Sequence, residues 1–220
     1  MADTLNTQYD PQKHRRRSIR LKEYDYSQAG AYFVTVCAKG RRCVLADIRD
    51  GNVVLSPVAE VVHQCGESVP NHFRSAKLDL FVVMPNHLHA ILILNGRKGV
   101  QLNAPTKSAV HAAHARAGEQ SNFYSSISPG RKTLSVIIRT FKAAVTTQCR
   151  QKHYHFVGWQ RNYYEHIIRD QNELNRIREY LMNNPLQWQF DRENPARVPD
   201  RSYDNRWGHL LETIYGKTKR

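Results

Sequence analysis

The stretch KLDLFVVMPNHLHAILIL, residues 77–94, constrains the fold more than any other part of this chain. Two aliphatic runs flank a Pro-Asn pair, which predicts two antiparallel strands joined by a tight turn. Such a hairpin needs a larger sheet or a layer of helices against which to bury its side chains. Its second arm begins with His87 and His89. Successive side chains of a strand alternate faces, so both imidazoles project on one side, with Leu88 opposite. Same-face histidines can share one metal ion, neutral imidazole being the commonest metal ligand. Two packed or half-exposed histidines fit the same pattern, and a second H-x-H stands at His153 and His155.

Flanking segments supply partners for the hairpin. AYFVTVCAKGRRCVLADI (31–48) predicts a strand, a basic turn around glycine and a second short strand, and GNVVLS predicts a further edge strand. Ser56 and Pro57 mark a helix start before PVAEVVHQCGESV. TLSVIIRTFKAAVTTQCRQ (133–151) carries apolar residues at 134, 137, 138, 141, 144 and 145, the spacing of an amphipathic helix, with Arg139, Lys142 and Arg150 elsewhere on it. HFVGWQRNYYEHIIRD (155–170) reads as extended. A last helix runs from Asp170 to Asn184, with Asp170 and Glu173 forming a capping box and Pro185 ending it. This order, β, α, β-hairpin, α, β, α, predicts an α+β fold: an antiparallel sheet with helices mainly on one face, of ferredoxin-like type. The expected organisation is a basic flexible arm (1–22), one domain (23–190) carrying a long Gly-, Ser-, Ala- and Pro-rich loop at 95–132, and a C-terminal tail (191–220).

The chain's 220 residues suffice for one well-filled domain. No stretch approaches the roughly 20 apolar residues of a membrane span, and the N-terminus lacks an apolar signal segment. Four scattered cysteines without a C-x-x-C pair fit a reducing cytoplasm and argue against a disulfide framework or zinc knuckle. Thirty-three Lys and Arg against nineteen Asp and Glu give a net charge of +14, which points to a polyanion, most often nucleic acid. Arg15, Arg16, Arg17, Arg20 and Lys22 in the arm are the leading phosphate contacts, with Arg41 and Arg42 in the first turn and Arg161 as further candidates. A solvated basic surface is the plainer reading of each.

In NELNRIREYLMNNP, Tyr180 and Asn184 lie one helical turn apart on one face, beside an apolar stripe of Leu174, Ile177 and Leu181. By themselves they describe a half-buried tyrosine and an asparagine at a helix end. Taken with the histidine hairpin, the sequence resembles the single-tyrosine transposases with a histidine–hydrophobe–histidine (HUH) motif, especially the REP-associated tyrosine transposases of bacteria. The resemblance rests on VVMPNHLHAILIL, on GWQRNYYEHIIRDQNELNRIREYLMNNPLQW and on GAYFVTVCAKGR, and spans roughly residues 18–190. It implies an HUH endonuclease domain that cuts and rejoins single-stranded or hairpin DNA in the cytoplasm, as a monomer or homodimer and without a membrane. It further implies that His87 and His89 bind a divalent metal, that Tyr180 is the nucleophile, and that Asn184 is a third ligand where some relatives carry glutamine.

The implied chemistry is self-consistent. An ion held by two imidazoles and an amide oxygen keeps positions open for a phosphate, and that mixed N/O set suits Mg²⁺ or Mn²⁺. Attack by Tyr180 leaves a 5′-phosphotyrosyl link and a free 3′-OH, so the step can be reversed by another 3′-OH. Tyr163 and Tyr164 are rival nucleophiles, but adjacent strand residues face opposite ways and at most one can aim at the histidines. The alternative is a non-catalytic DNA- or RNA-binding regulatory protein on the same fold.

Overall fold

The computed structural model describes residues 24–26, 28–49, 51–95 and 133–215. The arm with Arg15, Arg16, Arg17, Arg20 and Lys22, and all but the first residue of the 95–132 segment, lie outside the described residues.

Six strands and five helices make the described part of the fold. The strands are β1 (Gly30–Cys37), β2 (Ala46–Arg49), β3 (Asn52–Leu55), β4 (Ala76–Val83), β5 (His87–Leu94) and β6 (Tyr164–Ile168). The helices are α1 (Pro57–Glu67), the single turn α2 (Val69–His72), α3 (Leu134–Gln151), α4 (Gln171–Asn183) and α5 (Arg201–Tyr215). Short 3₁₀ turns occupy Lys39–Arg41 and Pro185–Phe190.

The main sheet runs β4-β5-β1-β6, antiparallel throughout, and β2 and β3 form a separate two-stranded ribbon. The α+β class, the antiparallel sheet and the histidine hairpin are as the sequence predicts. All eight residues of β1 are buried, which explains why GAYFVTVC is almost continuously apolar: a central strand covered on both faces has no solvent side.

Helices lie on both faces rather than mainly on one. Tyr32, Val34, Val36, Leu88, Ala90 and Leu92 join α1 and α3 in one core cluster. Ala31, Phe33, Ile91 and Ile168 join α4 and α5 in a second cluster on the opposite face. The hairpin pattern concealed this, because a central strand buried on both faces gives no alternation from which to read a solvent side. The second layer also includes residues read from sequence as a tail. Tyr203, Trp207, Leu210 and Ile214 of α5 are buried there.

Local chemistry sets the helix bounds. Ser56 Oγ accepts from the Ala59 N–H at 3.2 Å, with Pro57 at the first helical position. Asp170 Oδ1 accepts from the Glu173 N–H at 2.8 Å, but Glu173 Oε2 accepts from Arg169 N–H at 2.7 Å, so the expected capping box closes one residue earlier than its usual return. A register shift in β4 between Leu78 and Leu80 frees Asp79 from the ladder. Its carboxylate takes a bidentate pair from Arg178, Nε at 2.8 Å and Nη2 at 2.7 Å, tying α4 to the edge strand two residues before Tyr180.

Candidate active site

Sheet parity places the histidines. Val82, His89, Thr35 and Tyr164 are register partners across β4, β5, β1 and β6, and His87 pairs with Cys37 one step along. That face is the one covered by α4 and α5. His87 and His89 are both 0% exposed, and their Nε2 atoms are 3.0 Å apart. Asn184 is 1% exposed. The Tyr180 ring centroid lies 5.9 Å from that of His89, and Trp188 of the 3₁₀ turn sits 6.0 Å from His87.

Hydrogen bonds fix the imidazole protons. Asn86 Nδ2 donates to two carbonyls, Glu193 O at 2.7 Å and Arg41 O at 3.3 Å, which leaves Oδ1 facing His87 Nδ1 at 2.7 Å. His87 therefore carries its proton on Nδ1 and turns the Nε2 lone pair inward. His89 donates from Nε2 to that lone pair. Its bare Nδ1 then accepts from Thr35 Oγ1 at 2.9 Å, and Thr35 in turn accepts from the Tyr215 hydroxyl at 2.8 Å. A cation on both Nε2 atoms would move the His89 proton to Nδ1 and reverse the two bonds through Thr35.

Burial governs the protonation states. It holds His87 down to about 4, with Asp191 opposing the shift, and His89 well below its ordinary value, where the neighbouring His87 adds to the effect. Both imidazoles are thus neutral and competent as ligands. Burial, then Glu193, pushes the Cys37 thiol up to about 12, so this register neighbour of His87 stays protonated and offers no thiolate.

Two imidazole nitrogens and one amide oxygen form a mixed N/O donor set of the kind a divalent ion could accept. Two ligands at adjacent corners of an octahedral ion with bonds of about 2.1 Å are separated by about 3.0 Å. Both amide atoms of Asn184 are buried with no hydrogen-bond partner, an arrangement that costs about 1–3 kcal/mol per group unless something else satisfies it. Among the described residues no cluster of three or more His, Cys, Asp or Glu side chains could hold a metal.

Of the rival tyrosines, Tyr164 projects on the histidine face, but Thr35 stands between it and His89 in the register, two strand spacings of about 4.8 Å away. Its ring packs edge-on against Tyr215. Tyr163 directs its hydroxyl at Ser135 Oγ, 3.5 Å away. Tyr180, in ring contact with His89, is the better placed. Among the basic candidates, Arg41, Arg42 and Arg161 are all exposed, and Arg41 also pairs with the buried Glu193 at 3.2 Å. Lys142 does not project freely: its ammonium donates to the carbonyls of Gln160 and Asn162, each at 2.9 Å.

Sequence reasoning missed Asp191, which is 0% exposed and accepts from the Tyr180 hydroxyl at 3.1 Å, and the orienting residues Asn86, Thr35 and Tyr215. Asn86 had a signal, standing next to His87 in a turn. Asp191 and Tyr215 had none, since only the tertiary fold returns them to the histidines.

An uncharacterized protein of Haemophilus influenzae is 39% identical over 188 residues, covering 85% of this chain and 97% of that protein. A structure of a REP-associated tyrosine transposase bound to a REP hairpin aligns at TM-score 0.48 and 20% identity, over 77% of this chain and 73% of that one. A proposed transposase from Deinococcus radiodurans aligns at TM-score 0.33 and 16% identity, over 74% and 97%. At those scores both likenesses are loose. No family model matches the chain.

Proposed function

Because the chain belongs to the same family as that Haemophilus influenzae protein, whose own function is uncharacterized, we propose a function from the site itself. The protein is a metal-dependent enzyme that nicks and rejoins single-stranded DNA, a transposase of the HUH type, with Tyr180 as nucleophile and His87, His89 and Asn184 holding Mg²⁺ or Mn²⁺. One observation carries this reading: two buried, neutral imidazoles converge at 3.0 Å beneath a helix whose Tyr180 contacts one of them and whose Asn184 amide is orphaned one turn later.

The ion, when bound, supplies Lewis-acid stabilisation of the charge that develops on the non-bridging phosphate oxygens. The chain supplies the rest. Asn86 and Thr35 orient the imidazoles, and the Asp79–Arg178 pair fixes the helix from which Tyr180 attacks. The Tyr180 oxygen forms a bond to phosphorus as the bond to the 3′ oxygen breaks, giving a 5′-phosphotyrosyl link and a 3′-OH. The substrate is a palindromic or hairpin DNA. The arm residues Arg15, Arg16, Arg17, Arg20 and Lys22, with exposed Arg41, Arg42 and Arg161, neutralise its phosphates.

The test is a denaturing gel of labelled single-stranded hairpin oligonucleotides incubated with the protein and Mn²⁺, with and without EDTA. A protein-linked DNA band that EDTA abolishes is expected; tight binding with no band for any hairpin overturns the enzyme. One observation favours the second reading, a regulatory nucleic-acid-binding protein: Tyr180 is only 1% exposed, so a phosphodiester reaches it only if the side chains covering it move.

A further inference from the structure

Tyr180 is a poor nucleophile as it stands. A phenol of ordinary pKa about 10 is already protonated at neutral pH. Attack on phosphorus therefore requires a group that removes the phenolic proton as the new bond forms.

Asp191 occupies the required place. Its Oδ2 accepts from the Tyr180 hydroxyl at 3.1 Å. Its other oxygen is held by the Glu193 N–H at 2.7 Å, so the carboxylate cannot rotate away from the phenol. The residue is completely buried, yet lies only eleven positions after Tyr180. The 3₁₀ turn at Pro185–Phe190 folds the chain back to bring it there, and its own N–H bonds to Trp188 O at 3.1 Å. A buried carboxylate is costly to retain without a function or a full set of partners. This one accepts the hydrogen bond of the hydroxyl that must lose a proton.

We propose that Asp191 is a catalytic residue, the general base that takes the Tyr180 proton during cleavage and returns it during rejoining. The inference rests on the reading of Tyr180 as nucleophile. In cleavage the Tyr180 O–H bond breaks and its proton moves to Asp191 Oδ2. The phenolic electron pair forms the O–P bond, the P–O3′ bond breaks, and the departing 3′ oxygen takes a proton from water. In rejoining a 3′-OH gives up its proton to water and attacks phosphorus, the P–O bond to Tyr180 breaks, and Asp191 reprotonates the phenolate.

The test compares the full chain with Asp191→Asn in single-turnover adduct formation on a synthetic hairpin oligonucleotide with Mn²⁺. Asparagine keeps an oxygen for the Glu193 N–H, and thermal melting checks that the fold survives. Loss of a general base lowers the rate by about 10²–10⁴-fold. The same pair is then compared with 3,5-difluorotyrosine incorporated at position 180, whose phenol is more acidic. The penalty of the substitution is expected to shrink at least tenfold, because a more acidic phenol depends less on a base. Mn²⁺ affinity, measured calorimetrically, is expected to be unchanged. A rate within threefold of wild type, a penalty undiminished by fluorination, or a tenfold loss of Mn²⁺ affinity each overturns the assignment. Absence of any adduct in the wild type overturns the nucleophile reading and this inference with it, whereas an adduct unaffected by the substitution overturns this inference alone.

Discussion

The hydroxyls of Thr35 and Tyr215 lie 2.8 Å apart, joining the central strand to the last turn of the final helix across 180 residues of sequence. The same Thr35 oxygen lies 2.9 Å from His89 Nδ1, so the orientation of one proposed metal ligand depends on a bond to the far end of the chain. Outer-shell partners of this kind typically contribute 10–100-fold to metal affinity. Thr35→Val, which keeps the β-branched shape, is expected to weaken Mn²⁺ binding by that factor in titration calorimetry. Unchanged affinity would show that His89 is positioned without Thr35.

Asn184 gives a prediction of opposite sign for the metal-free and metal-bound states. Its two buried amide atoms have no partner, so Asn184→Leu, which branches at the same carbon, removes a liability of about 1–3 kcal/mol per unsatisfied group. In EDTA the variant is expected to melt at or above the wild-type temperature. The stabilisation that Mn²⁺ gives the wild type is expected to shrink, since binding to the native state alone is what raises the melting temperature. A large loss of stability in EDTA would mean that the amide has a structural role.

His87 links the site to acid stability. Its native pKa is about 4, below the unfolded value of about 6.5, so between those values the unfolded chain binds more protons and stability rises with pH. The contribution is complete above pH 6.5 and is lost as pH falls to about 4, amounting to about 3 kcal/mol for this one residue. Urea unfolding in EDTA at pH 7.5 and 4.5 is expected to show that loss, and His87→Gln to reduce it. A variant with the wild-type slope would assign the pH dependence to other groups.

Trp207 tests whether the last helix belongs to the same cooperative unit. It is 2% exposed, its ring is 5.4 Å from that of Tyr180, and its indole N–H donates to Gln187 Oε1 at 2.7 Å. Trp207→Ala is expected to cost about 3–5 kcal/mol in urea unfolding, the usual penalty for deleting a buried tryptophan. A cost below about 1 kcal/mol would mean that α5 is peripheral to the fold.

The site was half legible in the sequence. His87 and His89 announce a shared face because strand alternation is strict, and Tyr180 with Asn184 because helical spacing is. Both are local periodicities; in the structure the His87 and His89 Nε2 atoms lie 3.0 Å apart and the Tyr180 ring 5.9 Å from that of His89. Asp191, Thr35 and Tyr215 join the site through tertiary contacts that leave no periodic trace. Asp191 follows a proline-initiated turn, and Tyr215 ends a helix whose apolar positions lie in a segment rich in charge and proline. The second helical layer was missed for the same reason, since β1 is apolar on both sides and does not reveal which one the later helices cover.

Covalent joining of Tyr180 to DNA can be tested directly. Wild-type protein and Tyr180→Phe are incubated with a 5′-labelled and a 3′-labelled version of the same single-stranded hairpin and Mn²⁺, then resolved on a denaturing gel. A protein-linked band is expected in the wild type, carrying the label that lies on the 3′ side of the cut, and none in the variant. A band that persists in Tyr180→Phe would contradict it and move the nucleophile to Tyr164 or Tyr163.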